Sequence, residues 1–187
     1  MGRVYERKSG VKGILKCRLI KGVVAKPRVE FESPVDASVL AEVERVGVEL
    51  SSVIAKRFGR SLAIRELDSG SCGACESEIS STANPIYDVQ RFGINFVASP
   101  RHADALLVTG PVSKNMLVAL KKTFAAIPEP KFVIALGDCA VTGGIFNNSY
   151  YTEGAVDRIL PVALHIPGCP PTPLDIIKSL LVLLRQK

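Results

Sequence analysis

The cysteines are the side chains of this sequence whose types and spacing most clearly indicate chemistry. Four of its five cysteines follow the pattern Cys-x2-Cys-x63-Cys-x29-Cys, at Cys72, Cys75, Cys139 and Cys169. Four thiolates that meet inside a cell can hold either zinc or an iron–sulfur cluster. Structural zinc usually sits on two short Cys-x2-4-Cys knuckles, whereas only one pair is short here. The spacing therefore favours a cubane iron–sulfur cluster.

Other interpretations of these thiols stay open at this point. A disulfide framework is not expected in an intracellular chain of this size. The short pair alone could form a thioredoxin-like redox motif, which would leave Cys139 and Cys169 as incidental buried thiols. Cys17 stands apart among basic residues, and we expect a free thiol there, although the nearby cations would lower its pKa and could give it a redox role.

The segments that must position these cysteines alternate short apolar runs with helix-like stretches. The runs predict five strands, at Leu62–Arg65, Ile94–Ala98, Ala105–Thr109, Phe132–Leu136 and Val162–Ile166. Helical spacing predicts helices over 75–82, 114–125 and 174–185. Runs that are apolar on both faces are typical of strands buried between two helical layers. We therefore predict an α/β fold with a mostly parallel sheet flanked by helices.

Each of the four cysteines is predicted to lie in a loop that follows a strand. In a parallel sheet such loops emerge at the carboxyl edge, where ligands usually bind in open α/β folds, so four distant thiols would meet there. The loops also carry glycines, among them Gly73, Gly143 and Gly168. Glycine allows the backbone to approach a ligand closely, and we expect N–H groups of these residues to face an anionic cluster.

The basic charge of the sequence is concentrated near its start. The net charge is +6, yet residues 1–28 hold nine basic residues against one acidic residue, and the rest of the chain is nearly neutral. We therefore expect a basic arm over 1–33, an amphipathic helix over 34–60 and the α/β domain over 61–187. Tyr5 is the only aromatic residue of residues 1–28, so we do not expect nucleic acid as a partner. A zinc-stabilised nucleic-acid-binding module remains the alternative from another functional class.

Nothing in the sequence predicts export or a membrane span. The first eight residues lack the apolar core of a signal peptide, and no twin-arginine pair precedes the domain. The longest uncharged run, over 159–174, is interrupted by prolines. We therefore expect the chain to reside in the cytoplasm.

Five segments of the chain resemble a known family. They are 71–79, 84–94, 99–104, 137–146 and 166–173. They are similar to the small electron-transfer subunit shared by energy-converting nickel–iron hydrogenases, formate hydrogenlyase and respiratory complex I. The resemblance implies a flavodoxin-like sheet and one [4Fe–4S] cluster on the four spaced cysteines. Complex I subunits carry two adjacent cysteines in the first motif, whereas Cys72 and Cys75 are separated here, as in the hydrogenase branch.

The resemblance also implies a function and partners. A subunit of this kind relays electrons between a ferredoxin-like subunit with two clusters and a large catalytic hydrogenase-like subunit. Membrane subunits that translocate ions complete the complex. We therefore expect a peripheral protein at the cytoplasmic face of a membrane, within an oxidoreductase complex and without a catalytic site of its own. A complex I-like quinone reductase subunit is the alternative within the family.

Three charged residues in these motifs are candidates for supporting roles. Glu76 and Glu78 follow Cys75, and acids in the first turn of a helix are favourable without any function. By its place in the motif, Glu78 is expected to face the large subunit and to carry protons or tune the cluster. Arg101 precedes a predicted strand, so we expect it at the opposite, amino edge of the sheet, where the resemblance implies a subunit interface.

Overall fold

The computed structural model describes residues 36–186, and those from Ala37 onward form one compact unit. The strands are β1 (Leu62–Asp68), β2 (Ile94–Phe96), β3 (Ala105–Thr109), β4 (Val112–Ser113), β5 (Phe132–Leu136), β6 (Thr152–Gly154) and β7 (Val162–Ile166). The helices are α1 (Ala37–Phe58), α2 (Ala74–Thr82), α3 (Leu117–Ala126), α4 (Asp138–Thr142) and α5 (Pro173–Gln186). Single 3-10 turns cover Pro100–His102, Gly144–Phe146 and Val156–Arg158.

The main sheet has five strands in the order β2-β1-β3-β5-β7, and every neighbouring pair is parallel. When only its own strands are numbered along the chain, this order is 2-1-3-4-5, the flavodoxin-like arrangement. The predicted fold class is therefore confirmed. Strands β4 and β6 form a separate antiparallel pair, which is too short to show an alternating pattern in the sequence.

Apart from Thr109 at the end of β3, the two central strands, β3 and β5, are apolar because helices cover both of their faces. In β3, Ala105 and Leu107 belong to the hydrophobic cluster that contains α1 and α5 residues, whereas Leu106 and Val108 belong to the cluster on the α3 side. Successive strand residues point to opposite faces, so a run without polar residues is what a doubly covered strand requires.

Helices α1 and α5 form one of the two layers. The buried residues of α1 recur at helical spacing and are Val43, Val46, Gly47, Leu50 and Ile54. A Cβ on Gly47 would lie 2.2 Å from the Phe92 ring, so this glycine lets the aromatic ring pack directly against the helix. At the exposed rim Lys178 pairs with Glu42 at 2.7 Å, a surface contact that contributes little stability.

The predicted elements differ from the structure at identifiable places. The helix predicted from Lys114 begins only at Leu117, because Val112–Ser113 pairs as β4 and the Lys114 N–H donates to the Tyr151 carbonyl at 3.0 Å. The loop predicted around Cys139 is wrong, since this residue lies in α4. The basic arm over 1–33, the first residues of the predicted 34–60 helix and Cys17 lie outside the described residues.

No helix within residues 36–186 is both long enough and apolar enough to cross a membrane.

Candidate metal centre

Three strand ends bring the four spaced cysteines to one place. Cys72 and Cys75 follow β1, Cys139 follows β5 and Cys169 follows β7. All four line a single pocket at the carboxyl edge of the sheet, and all four are free thiols. Within residues 36–186, no three or more His, Cys, Asp or Glu side chains are arranged to hold one metal ion. The cysteines are therefore related by a shared pocket and not by a formed mononuclear site.

The loop after β1 is ordered by its own side chains. The carboxylate of Asp68 accepts hydrogen bonds from the N–H groups of Gly70 and Ser71, both at 2.7 Å. The Ser71 hydroxyl in turn accepts from the Gly73 N–H at 3.1 Å. Gly73 has a φ of +88° and immediately precedes α2, so the chain turns into that helix with Cys75 in its first turn.

The loops after β5 and β7 hold each other through Asp138. The N–H of Asp138 donates to the Gly168 carbonyl at 2.9 Å, and its carboxylate accepts from the Gly168 N–H at 2.8 Å. The Gly137 N–H donates to the Ile166 carbonyl at 2.8 Å. These contacts fix the relative positions of Cys139 and Cys169, which lie 30 residues apart. Asp138 is not among the residues predicted from the sequence, although its place directly before Cys139 is a usable signal.

Two glycines leave room for two of the sulfur atoms. A Cβ on Gly137 would lie 2.6 Å from Cys75 Sγ, and a Cβ on Gly144 would lie 2.8 Å from Cys139 Sγ. Both glycines have positive φ values, +88° and +53°, which side-chain-bearing residues rarely adopt. The backbone therefore lies against these sulfurs in a way that only glycine permits.

The glycines predicted from the sequence lie in the same loops, and their N–H groups have acceptors within the chain. Gly73 donates to Ser71 Oγ at 3.1 Å, and Gly168 donates to Asp138 Oδ1 at 2.8 Å. Gly143 donates to the Cys139 carbonyl at 2.9 Å. Each of these bonds orders a cysteine-bearing loop. Direct contact of the three N–H groups with a cluster stays a prediction.

The thiols influence one another electrostatically. Burial raises the pKa of Cys75 to about 12, and the negative charges of Glu76, Cys72, Cys139 and Cys169 contribute in the same direction. Burial also raises the pKa of Cys139, as do Cys169, Cys72 and Asp138. Several thiolates in one small space repel each other and favour protonation. A metal centre supplies the positive charge that would allow all four to ionise together.

The three charged residues predicted from the sequence lie in two different parts of the structure. They are Glu76, Glu78 and Arg101. Both carboxylate oxygens of Glu76 are buried and have no hydrogen-bond partner among residues 36–186. Glu78 lies partly buried on the same helix, α2. Arg101 is exposed in the 3-10 turn before β3, at the amino edge of the sheet. The structure therefore places Glu76 and Glu78 near the cysteines and Arg101 at the opposite edge.

A patch of exposed apolar side chains borders the cysteine pocket. It consists of Ile145, Phe146, Tyr150 and Tyr151, of which Ile145 is 91% and Tyr150 89% exposed. Phe146 also lines the pocket itself. Exposed apolar groups that cluster next to a functional pocket often mark a protein-binding surface. We call this set the aromatic patch.

Comparison with known proteins places this arrangement in a family. The model of the family described as "NADH ubiquinone oxidoreductase, 20 Kd subunit" matches residues 72–183, a stretch that includes all four cysteines of the pocket. The chain belongs to this 20 kDa subunit family. The family predicted from the sequence motifs is therefore confirmed.

Two relatives of this chain are subunits of a membrane-bound hydrogenase and of formate hydrogenlyase. The probable membrane-bound hydrogenase subunit mbhJ of Pyrococcus furiosus is 44% identical over 133 residues, 71% of this chain and 80% of that protein. Formate hydrogenlyase subunit 7 of Escherichia coli is 44% identical over 124 residues, 66% of this chain. The match spans only 49% of the Escherichia coli protein, about half of its length.

A solved structure shows the same fold. It is a chain of the membrane-bound sulfane sulfur reductase, described as an archaeal respiratory membrane complex. The TM-score is 0.62 at 32% identity, with 74% of this chain and 75% of that chain covered. The relatives named here belong to oxidoreductase complexes that differ in their reactions. The 20 kDa subunit fold is therefore common to several oxidoreductase complexes.

Proposed function

We propose that this chain is the electron-transfer subunit of a membrane-bound oxidoreductase complex and carries one [4Fe–4S] cluster on Cys72, Cys75, Cys139 and Cys169. The observation that carries the proposal is that four free thiols from three strand ends line one pocket. The hydrogenase or formate hydrogenlyase type of complex is favoured by the separation of Cys72 and Cys75, and by relatives of both kinds at 44% identity.

The residues present fit an iron–sulfur cluster by two criteria. Thiolates are the usual ligands of such clusters, and four of them can bind one cubane. The backbone at Gly137 and Gly144 leaves open the space that a Cβ would take beside two of the sulfurs, so Cys75 and Cys139 are oriented without steric conflict. When bound, a cluster of this type accepts and releases one electron.

The contribution of the chain is a rigid frame. Asp68 orders the loop of Cys72 and Cys75 through two backbone N–H groups. Asp138 joins the loop of Cys139 to the loop of Cys169. Since the three loops start from hydrogen-bonded strands of one sheet, the four thiols are held with little freedom to move. Low mobility suits electron transfer, because few groups then have to move when the charge changes.

The exposed side of the pocket indicates where partner subunits bind. Cys72 and Cys169 are exposed, and the aromatic patch lies beside them. We propose that the large catalytic hydrogenase-like subunit covers this surface and that a ferredoxin-like subunit with two clusters exchanges electrons with this chain. Ion-translocating membrane subunits would then hold the chain peripherally at the cytoplasmic face of the membrane.

Metal analysis of the full chain tests the proposal. Anaerobically purified protein should be brown and contain about four irons and about four acid-labile sulfides per chain, as one [4Fe–4S] cluster requires. Replacing Cys72, Cys75, Cys139 or Cys169 by Ser should abolish or strongly reduce this content, whereas Cys17→Ser should not. Zinc without sulfide in the wild-type chain would overturn the proposal in favour of a zinc-stabilised module.

The two acids of α2 remain candidates for proton transfer. We propose that Glu78 carries protons towards the large subunit and that Glu76, whose carboxylate is buried without a partner, affects the cluster by its charge. Glu78→Gln should lower turnover of the assembled complex while iron and sulfide content stays at the wild-type level. Unchanged turnover would show that Glu78, which lies beyond the first turn of α2, has no role in proton transfer.

A further inference from the structure

Thr109 is a buried polar residue at the edge of the pocket. It is the last residue of β3, is 0% exposed and immediately precedes Gly110 and Pro111, which line the pocket together with the cysteines. Its hydroxyl oxygen has no hydrogen-bond partner among the described residues. Its carbonyl, in contrast, accepts from the Ser69 hydroxyl at 2.7 Å.

The strand pattern shows which side of the sheet this residue faces. Side chains alternate along a strand, and Ala105 and Leu107 both belong to the hydrophobic cluster against which Cys75 packs. Thr109 is two residues further along the same strand. Its register partner on β5 is Leu136, which belongs to the same cluster. The hydroxyl and Cys75 are therefore on one side of the sheet.

The neighbouring strand brings the Cys75 sulfur close to this position. Leu136 is followed by Gly137, the residue whose absent Cβ would lie 2.6 Å from Cys75 Sγ. Thr109 and the Cys75 sulfur therefore lie at the ends of adjacent strands on the same face. Thr109 itself does not line the pocket, but Gly110 and Pro111 after it do, so its unpartnered hydroxyl lies behind the pocket wall on the Cys75 side of the sheet.

An unpartnered hydroxyl in this position has an energetic cost. Leaving a buried polar group without a hydrogen bond lowers stability, and Val would fill nearly the same volume without that cost. Buried polar groups in native proteins nearly always have partners. A hydroxyl here is therefore readily explained if its partner is the group that the pocket binds.

We propose that the Thr109 hydroxyl donates a hydrogen bond to a sulfur of the cluster beside Cys75. This hydrogen bond would raise the reduction potential of the cluster. The proposal rests on the proposed function, since it requires the iron–sulfur cluster. Hydrogen bonds to the sulfurs are among the factors that set the potential of such clusters. Thr109 acts here as a tuning residue, and it neither carries a proton nor binds iron.

A redox titration of the cluster-loaded full chain tests this inference. The midpoint potential, followed by electron paramagnetic resonance, should shift to a more negative value in Thr109→Val and Thr109→Ala. In Thr109→Ser, which keeps the hydroxyl, it should stay close to the wild-type value. Thr82→Val is the matched control, because Thr82 is also buried but already donates to the Ile79 carbonyl at 2.6 Å.

Two further measurements separate tuning from a structural role. Iron and sulfide content should be the same in wild type, Thr109→Val and Thr109→Ser. In the cluster-free full chain, Thr109→Val should not lower the free energy of unfolding, because it removes a hydroxyl that has no partner there. An unchanged potential in both Thr109→Val and Thr109→Ala would overturn the inference alone, whereas a wild-type chain without iron and sulfide would overturn the proposed function as well.

Discussion

The four cysteines of the pocket form two pairs with different surroundings. Cys75 and Cys139, the inner pair, are partly buried, lie in helices α2 and α4, and have their sulfurs against Gly137 and Gly144. Cys72 and Cys169, the outer pair, are exposed and lie in loops ordered by hydrogen bonds. Burial raises the pKa of both inner thiols.

This difference shows that two kinds of interaction build one site. The inner pair is positioned by backbone packing, which tolerates almost no change because interiors are close-packed. The outer pair is positioned by the Asp68 and Asp138 carboxylates and is open to a partner surface next to the aromatic patch. Substitutions that change the packing around the inner pair should therefore prevent cluster binding. The reactivity of the outer pair should instead depend on its exposure to solvent and to partner subunits.

The largest effect is expected when the inner pair loses its glycine support. Gly137→Ala would place a Cβ 2.6 Å from Cys75 Sγ in a backbone conformation that costs about 1–3 kcal/mol for other residues. We expect nearly complete loss of iron and sulfide from the purified chain, together with destabilisation of at least that size in a denaturant titration.

Gly73→Ala is the matched control for this substitution. Gly73 has the same φ of +88°, yet a Cβ there would meet nothing within 4 Å. This variant should show only the backbone cost of about 1–2 kcal/mol and should retain most of its iron. If both variants lose the same amount of iron, backbone strain alone would explain the loss, and the steric contact with the Cys75 sulfur would not be its cause.

A smaller, graded effect is expected in thiol alkylation of the cluster-free, reduced chain. With a pKa of about 12, Cys75 is a thiolate in only about one molecule in 10⁴ at pH 8. It should therefore react with iodoacetamide far more slowly than exposed Cys72 and Cys169. Peptide mass spectrometry in a Cys17→Ser background measures the order, and equal rates at all four sites would refute the division into two pairs.

The same pKa gives a direction for the dependence of stability on pH. The folded pKa of Cys75 lies above the ordinary value of 9.0, so the folded chain holds this proton more tightly than the unfolded chain. The contribution is fully present below about pH 9 and is lost as the pH rises towards 12. Cluster-free protein should therefore become less stable over that range.

The sequence predicted the sheet well because its strands are extreme in composition. The bounds of β3, β5 and β7 are those of the predicted runs, since apolar residues predominate in all three strands and Thr109 and His165 are their only polar residues. The Lys114 helix start was wrong because Val112–Ser113 pairs with β6, some 40 residues later in the chain. Such a distant pairing leaves no local signal.

The site was predictable only at the level of its ligands. Cysteine spacing and the motifs identified the four thiols, because the chemistry requires that residue type. The supporting residues depend on three-dimensional contacts: Gly137 matters because a sulfur from another loop lies against it, and Asp138 because it holds Gly168. Thr109 is conspicuous only once its hydroxyl is seen to be buried without a partner.

The smallest effect is expected at Glu66, which lies on β1 in register with Leu107. Its pKa is raised first by burial and then by the charge of Glu76, with a further contribution from Asp68 and an opposing one from Arg65. A carboxyl whose folded pKa lies above its unfolded value lowers stability as the pH rises through that interval. Above that interval the ionised Glu66 therefore lowers the stability of the folded chain.

Glu66→Gln should remove this penalty. We expect the free energy of unfolding to rise at pH 7 by less than about 1 kcal/mol, because the side chain is only partly buried and solvent screens its charge. At pH 3, where Glu66 is protonated in both states, the difference should disappear. Glu153→Gln, at an exposed position, removes the same charge and should have no comparable effect. If the Glu66→Gln chain is instead less stable at pH 7, the ionised carboxylate must have a stabilising partner. A buried charge near the inner pair would then be tolerated better than the raised pKa values of Cys75 and Cys139 indicate.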